Sequence, residues 1–102
     1  MQVRIKQYEK LFVVQIQGEL DHHSAPALAK RLDALLSQHA VEELRLDLKT
    51  LSFMDSSGIG VLLGRYNRLH AKGGILSVCN PNATIDRIFR LSGLYQIVPK
   101  VG

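Results

Sequence analysis

Two hydrophobic periodicities alternate along this chain, and their alternation is the feature that most constrains its fold. The segment 44–49 (LRLDLK) alternates leucine with charged residues, as a strand with one polar face does. Elsewhere, apolar residues recur at helical spacing, first at Leu28, Leu32, Leu35 and Leu36. Strands and helices that alternate in this way pack as helices against a sheet, so the sequence predicts an α/β fold.

The predicted element order is β-β-α-β-α-β-α-β, in one domain that spans residues 1–102. The predicted strands cover residues 3–8, 11–17, 44–49 and 75–79, with a hairpin turn at Glu9-Lys10 and with Gly18 ending the second strand. Residues 95–98 are predicted as a last short strand, with an extended tail ending at Pro99 as the alternative. The predicted helices cover 25–39 and 56–71, and a third starts with Asn80 as N-cap and Pro81 as first residue and ends at Gly93.

Composition narrows the class of protein. The net charge is +4, but the basic residues are spread over the chain and tryptophan is absent, so a solvated positive surface is favoured over direct nucleic-acid binding. No apolar stretch reaches the length of a membrane span, and the charged N-terminus predicts no signal peptide. The single cysteine, Cys79, favours a reduced thiol and therefore a cytoplasmic protein.

The segment FMDSSGIG marks the junction of a predicted strand and a predicted helix. Asp55 or Ser56 could cap the free N–H groups of that helix, but one cap does not need two hydroxyls. The small pair Ser57-Gly58 predicts a slim helix start that a second molecule can approach.

Ser56, Gly60 and Gly64 form a line of minimal side chains on the predicted helix, at positions i, i+4 and i+8. Glycine inside a helix costs about 1 kcal/mol relative to alanine, so two glycines on one line need a reason. The spacing leaves two reasons open, which are close packing inside the fold and contact with a partner.

A phosphoryl group on Ser56 would add about −1.5 to −2 charges at a helix N-terminus. The helix dipole and free N–H groups tolerate that charge, although Asp55 opposes it. A partner docked on the glycine line would meet a bulky anion, so the position suits a switch that needs no refolding.

Other chemistries find less support in the sequence. Ser56 lacks the G-x-S-x-G context of a hydrolase nucleophile, and GIGVLLG lacks the end of a phosphate-binding loop. His22 and His23 are adjacent rather than i, i+4, so no metal site is predicted. Their loop also carries Asp21 and Ser24, which are helix-capping residues. Asp21 would lie near Ser56 if the ends of the second and third predicted strands are side by side. It could then help to position a partner or the serine hydroxyl.

Three segments carry a resemblance that covers nearly the whole chain: GELDHHSAPAL, LRLDLKTLSFMDSSGIGVLLGRY and GGILSVCNP. Together they resemble the STAS-domain family of anti-sigma-factor antagonists, and specifically those of the bacterial sporulation sigma F pathway. The resemblance implies a small mixed sheet packed with helices. Family members commonly continue into a further C-terminal helix, whereas this sequence stops at Gly102.

The resemblance also implies a function by partner switching. Family members are not enzymes and hold no cofactor. They bind an anti-sigma factor that is also a serine kinase, which holds the ATP, and a PP2C-type phosphatase reverses the phosphorylation. Carried over, Ser56 is the phosphorylated serine, Asp21 is an acid important for partner binding, and Ser57 and Gly58 complete the motif. Gly60 and Gly64 are our own candidates for the contact surface. An antagonist in a general stress pathway and a nucleotide-binding STAS module remain alternatives.

Overall fold

Five strands and three helices make up the computed structural model, which describes residues 1–102. The strands are β1 (Gln2–Tyr8), β2 (Leu11–Leu20), β3 (Glu43–Asp47), β4 (Leu51–Met54) and β5 (Ile75–Cys79). The helices are α1 (Ala25–Gln38), α2 (Ser56–His70) and α3 (Ala83–Ser92), and a 3₁₀ turn follows at Leu94–Gln96. No helix has the length and apolar character that crossing a bilayer requires.

The sheet is mixed, and β2 organises it. A two-residue turn at Glu9-Lys10 joins β1 to β2 as an antiparallel hairpin, while β3 and β5 extend the sheet on the other side in the order β1-β2-β3-β5. The first half of β2 pairs with β3 and its second half pairs with β4, both in parallel. β2 changes neighbour between Gln15, the last residue paired with β3, and Gly18, the first residue paired with β4. The register within the β2–β4 pair then shifts between Gly18 and Glu19.

The core lies on one face of the sheet. Inward side chains of β2 and β3 alternate with half-exposed ones, and Leu76 and Val78 of β5 belong to the same core. Leucines of α1 and α2 cover these side chains. Two arginines of α2 tie it to α1, because Arg65 and Arg68 both contact the Asp33 carboxylate at 3.2 Å. The opposite face of the sheet carries polar side chains such as Gln15, Arg45 and Asp47.

The α/β prediction and the order of elements from β1 to α3 are confirmed, except that β4 was not predicted as a strand of its own. Its four residues show no alternation, since only the two end residues are buried, so periodicity could not find it. The predicted end of β2 at Gly18 is wrong. Gly18 has φ 109° and lies at the register shift, which lets the strand continue to Leu20.

The predicted start of the third helix is also wrong. Asn82, not Asn80, is its N-cap, and the Asn82 side chain accepts a hydrogen bond from the Ile85 N–H at 2.9 Å. The predicted ending at Gly93 is confirmed, since Gly93 has φ 77° and caps the helix in the left-handed conformation.

The predicted last strand, 95–98, is wrong. Its first residues form the 3₁₀ turn, and the tail makes one isolated parallel bridge between Lys100 and Val78 instead. Asp86 of α3 holds this tail in place. The Tyr95 hydroxyl donates to the Asp86 carboxylate at 2.6 Å, and the Lys100 ammonium lies 3.0 Å from the same oxygen. These two contacts hold the pKa of Asp86 below its usual range.

Removing the Tyr95 hydroxyl should make unfolding less sensitive to acid. A carboxyl with a depressed native pKa stabilises the fold above its unfolded pKa of about 4, and this contribution disappears as pH falls through the native pKa. We therefore expect Tyr95→Phe to lower the free energy of unfolding at pH 7, with the difference from wild type shrinking at pH 3. Denaturant unfolding at both pH values measures this. Tyr8→Phe is the control, because the exposed Tyr8 hydroxyl has no protein partner. An equal difference at both pH values would contradict the assignment.

Candidate functional site

The parallel pairing of β2 with β4 brings together the two polar loops that the sequence singled out. Leu20 and Met54 are paired at the ends of these strands, and the N–H of Asp55 donates to the Leu20 carbonyl at 3.2 Å. The carboxyl ends of parallel neighbours lie at the same edge of a sheet. The loop that begins at Asp21 therefore lies beside the start of α2.

Asp55 caps α2. Its backbone is extended, and its side chain accepts a hydrogen bond from the Ser57 N–H at 2.8 Å. The sequence left Asp55 and Ser56 as alternative caps, and the structure selects Asp55. Ser56 is the first helical residue, its side chain is exposed, and its hydroxyl makes no hydrogen bond to another protein atom. The fold therefore leaves a free hydroxyl at the positive end of a helix.

Asp21 orders its own loop. One carboxylate oxygen accepts hydrogen bonds from the N–H groups of His23 at 2.9 Å and Ser24 at 3.0 Å, while the Ser24 hydroxyl accepts from the Asp21 N–H. The bond from the Ser24 N–H, together with the weaker one from His23, holds the pKa of Asp21 below its usual value. Asp21 makes no hydrogen bond to Ser56, so it does not orient the serine hydroxyl in this state.

The helix surface around the three glycines divides into an outer and an inner part. A Cβ added at Gly60 or Gly64 would meet nothing within 4 Å. Close packing inside the fold, one of the two reasons that the spacing left open, therefore does not explain these glycines. Gly58 is buried, and a Cβ there would lie 2.9 Å from Met54 Sδ and 3.1 Å from Leu20 Cδ2. A side chain at Gly58 would therefore meet the interior of the fold rather than open space.

Two apolar side chains near Ser56 are exposed, and the sequence reasoning missed them. Leu63 of α2 is 39% exposed, and Phe53 of β4 is 47% exposed. Leu63 lies seven residues after Ser56, which places it on the same face of α2 as the serine. Helical spacing from Ser56, rather than hydrophobicity, was the signal that could have found it.

The histidine pair shows no metal-site geometry. The rings of His22 and His23 lie 4.0 Å apart between centroids and are both exposed. The structure contains no group of three or more His, Cys, Asp and Glu side chains that could hold a metal ion. The pair is part of the loop that Asp21 orders.

These observations define a class: a two-layer α/β domain whose candidate site is an unused serine hydroxyl on an exposed helix face. The family model described as the STAS domain matches residues 2–101, and the chain belongs to this family.

The alignments with known relatives cover most of both chains. It is 38% identical to an anti-sigma F factor antagonist of Paenibacillus polymyxa over 97% of this chain and 85% of the relative. It is 40% identical to an anti-sigma-B factor antagonist of Bacillus subtilis, strain 168, over 94% of this chain and 86% of the relative.

Solved structures give the same fold. The anti-sigma factor antagonist SpoIIAA in its unphosphorylated form superposes with a TM-score of 0.86 at 31% identity, over 99% of this chain and 89% of the other. SpoIIAA in its phosphorylated form gives a TM-score of 0.78 at 31% identity, over 99% of this chain and 92% of the other.

Alanine at the inner and outer glycines should have opposite effects on stability. We expect Gly60→Ala to raise the free energy of unfolding by up to about 1 kcal/mol, because it gains helix propensity in open space. Gly58→Ala gains the same propensity but crowds Met54 and Leu20, so we expect it to be about 1–3 kcal/mol less stable than Gly60→Ala. Urea unfolding of both variants measures the difference. Equal stability would show that Gly58 does not pack as described.

Proposed function

We propose that this chain is an anti-sigma-factor antagonist that is switched by phosphorylation of Ser56. The observation that carries the proposal is the exposed Ser56 hydroxyl, which no protein atom uses and which lies at the head of α2. Relatives named as antagonists of anti-sigma F and anti-sigma-B factors support the partner class. A relative known in unphosphorylated and phosphorylated forms supports the modification.

The proposed partner is an anti-sigma factor that is also a serine kinase and carries the ATP. Binding of the antagonist releases the sigma factor. Transfer of a phosphoryl group to Ser56 ends that binding, and a PP2C-type serine phosphatase restores it. The chain itself acts as a binding protein in the cytoplasm, with no enzymatic step and no cofactor of its own.

The fold can accept the phosphate without rearranging. The added charge of about −1.5 to −2 lies at the positive dipole end of α2. Asp55 is the nearest opposing charge, but its carboxylate is already engaged with the Ser57 N–H at 2.8 Å. Since Ser56 makes no hydrogen bond within the protein, phosphorylation breaks none.

The proposed contact surface is the exposed face of α2, centred on Ser56, Gly60 and Gly64. The glycines let a partner backbone approach closely, and the exposed Leu63 supplies an apolar anchor between them. Asp21 lies at the border of this surface, with one carboxylate oxygen held by its own loop and the other free to accept a donor from the partner. Ser57 is half-buried and contributes its backbone N–H to the cap.

Two pathways fit the proposed partner class. The sporulation sigma F pathway is our preferred assignment, and the similar identity to an anti-sigma-B factor antagonist favours a stress pathway as the second candidate. To distinguish the two pathways, the purified protein is mixed with each anti-sigma factor in the presence of ADP. The anti-sigma factor with which it forms a complex identifies the pathway. A control incubation of the protein alone with ATP or GTP should show neither turnover nor retention of nucleotide.

Replacing Ser56 should separate folding from binding. We expect Ser56→Ala to bind the anti-sigma factor as wild type does and to accept no phosphate, because only the nucleophilic oxygen is lost. Ser56→Asp should keep the fold but weaken the complex by roughly tenfold or more, since an anion then faces the partner. Pull-down in ADP and in ATP, followed by phosphosite mapping, measures both. Phosphate on Ser57 or Ser52 instead would contradict the site assignment.

Leucine at the outer glycines should block the complex without unfolding the protein. Gly60→Leu and Gly64→Leu place a large side chain on the proposed contact surface, while leucine also favours helix over glycine by about 1 kcal/mol. We expect loss of binding with thermal stability unchanged or slightly raised. Ala71→Leu, at the exposed far end of α2, is the matched control and should bind normally. Full binding by both glycine variants would exclude this face.

A further inference from the structure

The outer edge of β1 is open. In the sheet order, β1 pairs with β2 alone, so one side of this seven-residue strand has no neighbour. A free strand edge presents unpaired N–H and C=O groups to any extended chain that fits beside it. The side chains around this edge determine which extended chain can bind there.

The hairpin fixes which backbone groups point outward. Tyr8 and Leu11 flank the two-residue turn, so they form a hydrogen-bonded pair, and such pairs alternate with non-hydrogen-bonded ones along an antiparallel ladder. Val3, Ile5 and Gln7 fall in the non-hydrogen-bonded pairs. Their N–H and C=O groups therefore point away from β2, towards the open edge.

The helical side of this edge is a shallow recess lined partly by apolar side chains. The side chains of Val3 and Ile5 lie on that side, because they are paired with the buried Ile16 and Val14. Two adjoining cavities of about 400 and 450 Å³ lie between β1 and α1 and share Arg31 in their walls. The exposed Ala27 and Ala34 of α1 line them and leave space above β1 for added apolar side chains.

The other side of the edge is basic. Arg4 and Lys6 are paired with Gln15 and Val13, so their side chains lie on the face of the sheet away from the helices. Neither forms an ion pair with a carboxylate of this chain, and the same holds for Arg31 in the recess. The edge therefore carries three cations that form no ion pair within the fold, although Arg4 lines a polar cavity together with Asp47.

A second copy of this chain is a poor occupant of the edge. Pairing β1 with β1 would set the Arg4 and Lys6 side chains of one copy against those of the other on the same face, and like charges that oppose one another destabilise a strand pair. A strand with acidic residues at alternate positions removes this repulsion and balances the basic charge.

We propose that the open edge of β1 binds, by strand addition, an extended segment of another protein in which acidic and apolar side chains alternate. Its backbone pairs with Val3, Ile5 and Gln7. Its apolar side chains fill the recess above Ala27 and Ala34, and its acidic side chains meet Arg4 and Lys6. Strand addition takes affinity from backbone hydrogen bonds and specificity from the alternate side chains.

This surface is separate from the one around Ser56. Helix α1 lies between them, since Asp33 on one side of α1 contacts Arg65 and Arg68 of α2, while Ala27 and Ala34 line the recess on the other. The proposal does not rest on the proposed function. Binding at β1 should be the same in wild type and in Ser56→Asp.

Three blocked peptides of about nine residues test the proposal by titration into the isotope-labelled protein. The first peptide alternates glutamate with valine, and the second alternates lysine with valine. The third contains the same residues as the first, but all its glutamates come in one block and all its valines in another. We expect the alternating acidic peptide alone to bind, with amide shifts at β1 and the recess and with affinity that falls as salt rises. Equal binding of the block peptide, shifts that omit β1, or a dimer of the free protein through β1 would overturn the proposal.

Charge reversal tests the same contact from the protein side. We expect Arg4→Glu/Lys6→Glu to bind the alternating acidic peptide roughly tenfold more weakly or worse. Lys72→Glu/Arg87→Glu changes the net charge equally at exposed positions outside β1 and α1 and should bind within about twofold of wild type at matched salt. Ile5→Pro removes one outward N–H and should also weaken binding. If Ile5→Pro does not fold, the comparison of the two charge-reversed double variants still tests the proposal. Equal affinity of both double variants for the alternating acidic peptide would overturn it.

Discussion

The pairing of the second half of β2 with β4 is the contact on which the rest of the site depends. One long strand leaves β3 after Gln15 and takes β4 as its neighbour from Gly18 onwards. The bond from the Asp55 N–H to the Leu20 carbonyl then fixes where β4 ends and α2 begins. Without this pairing, the Asp21 loop and the head of α2 would have no reason to be neighbours.

At the start of α2, adjacent residues have different roles, some structural and one proposed to be functional. Asp55 caps the helix by accepting from the Ser57 N–H, and Gly58 fits against Met54 in the interior, so neither task falls to Ser56. A residue with no structural task can gain a dianion at little cost to the fold, provided that the local field accepts negative charge. The N-terminus of a helix supplies that field.

Much of the fold followed from local patterns, and two of the errors share one cause. The helices that carry Leu28 and Leu62 were found because their apolar spacing is strong over several turns. The four-residue β4 and the tail after Gly93 were misjudged, since each is held by pairing with a distant part of the chain. Segments this short carry too little periodicity to reveal a partner strand.

The sequence by itself determined the α/β class, the serine pair at a strand-helix junction and the glycine line that follows it, because these are features of neighbouring residues. Only the tertiary structure decided that Gly58 faces inward while Gly60 faces outward, and that Asp21 lies beside the head of α2. Local spacing fixes which side chains share a face. Which face meets the core, and which loops meet each other, depends on strand pairing between residues far apart in the chain.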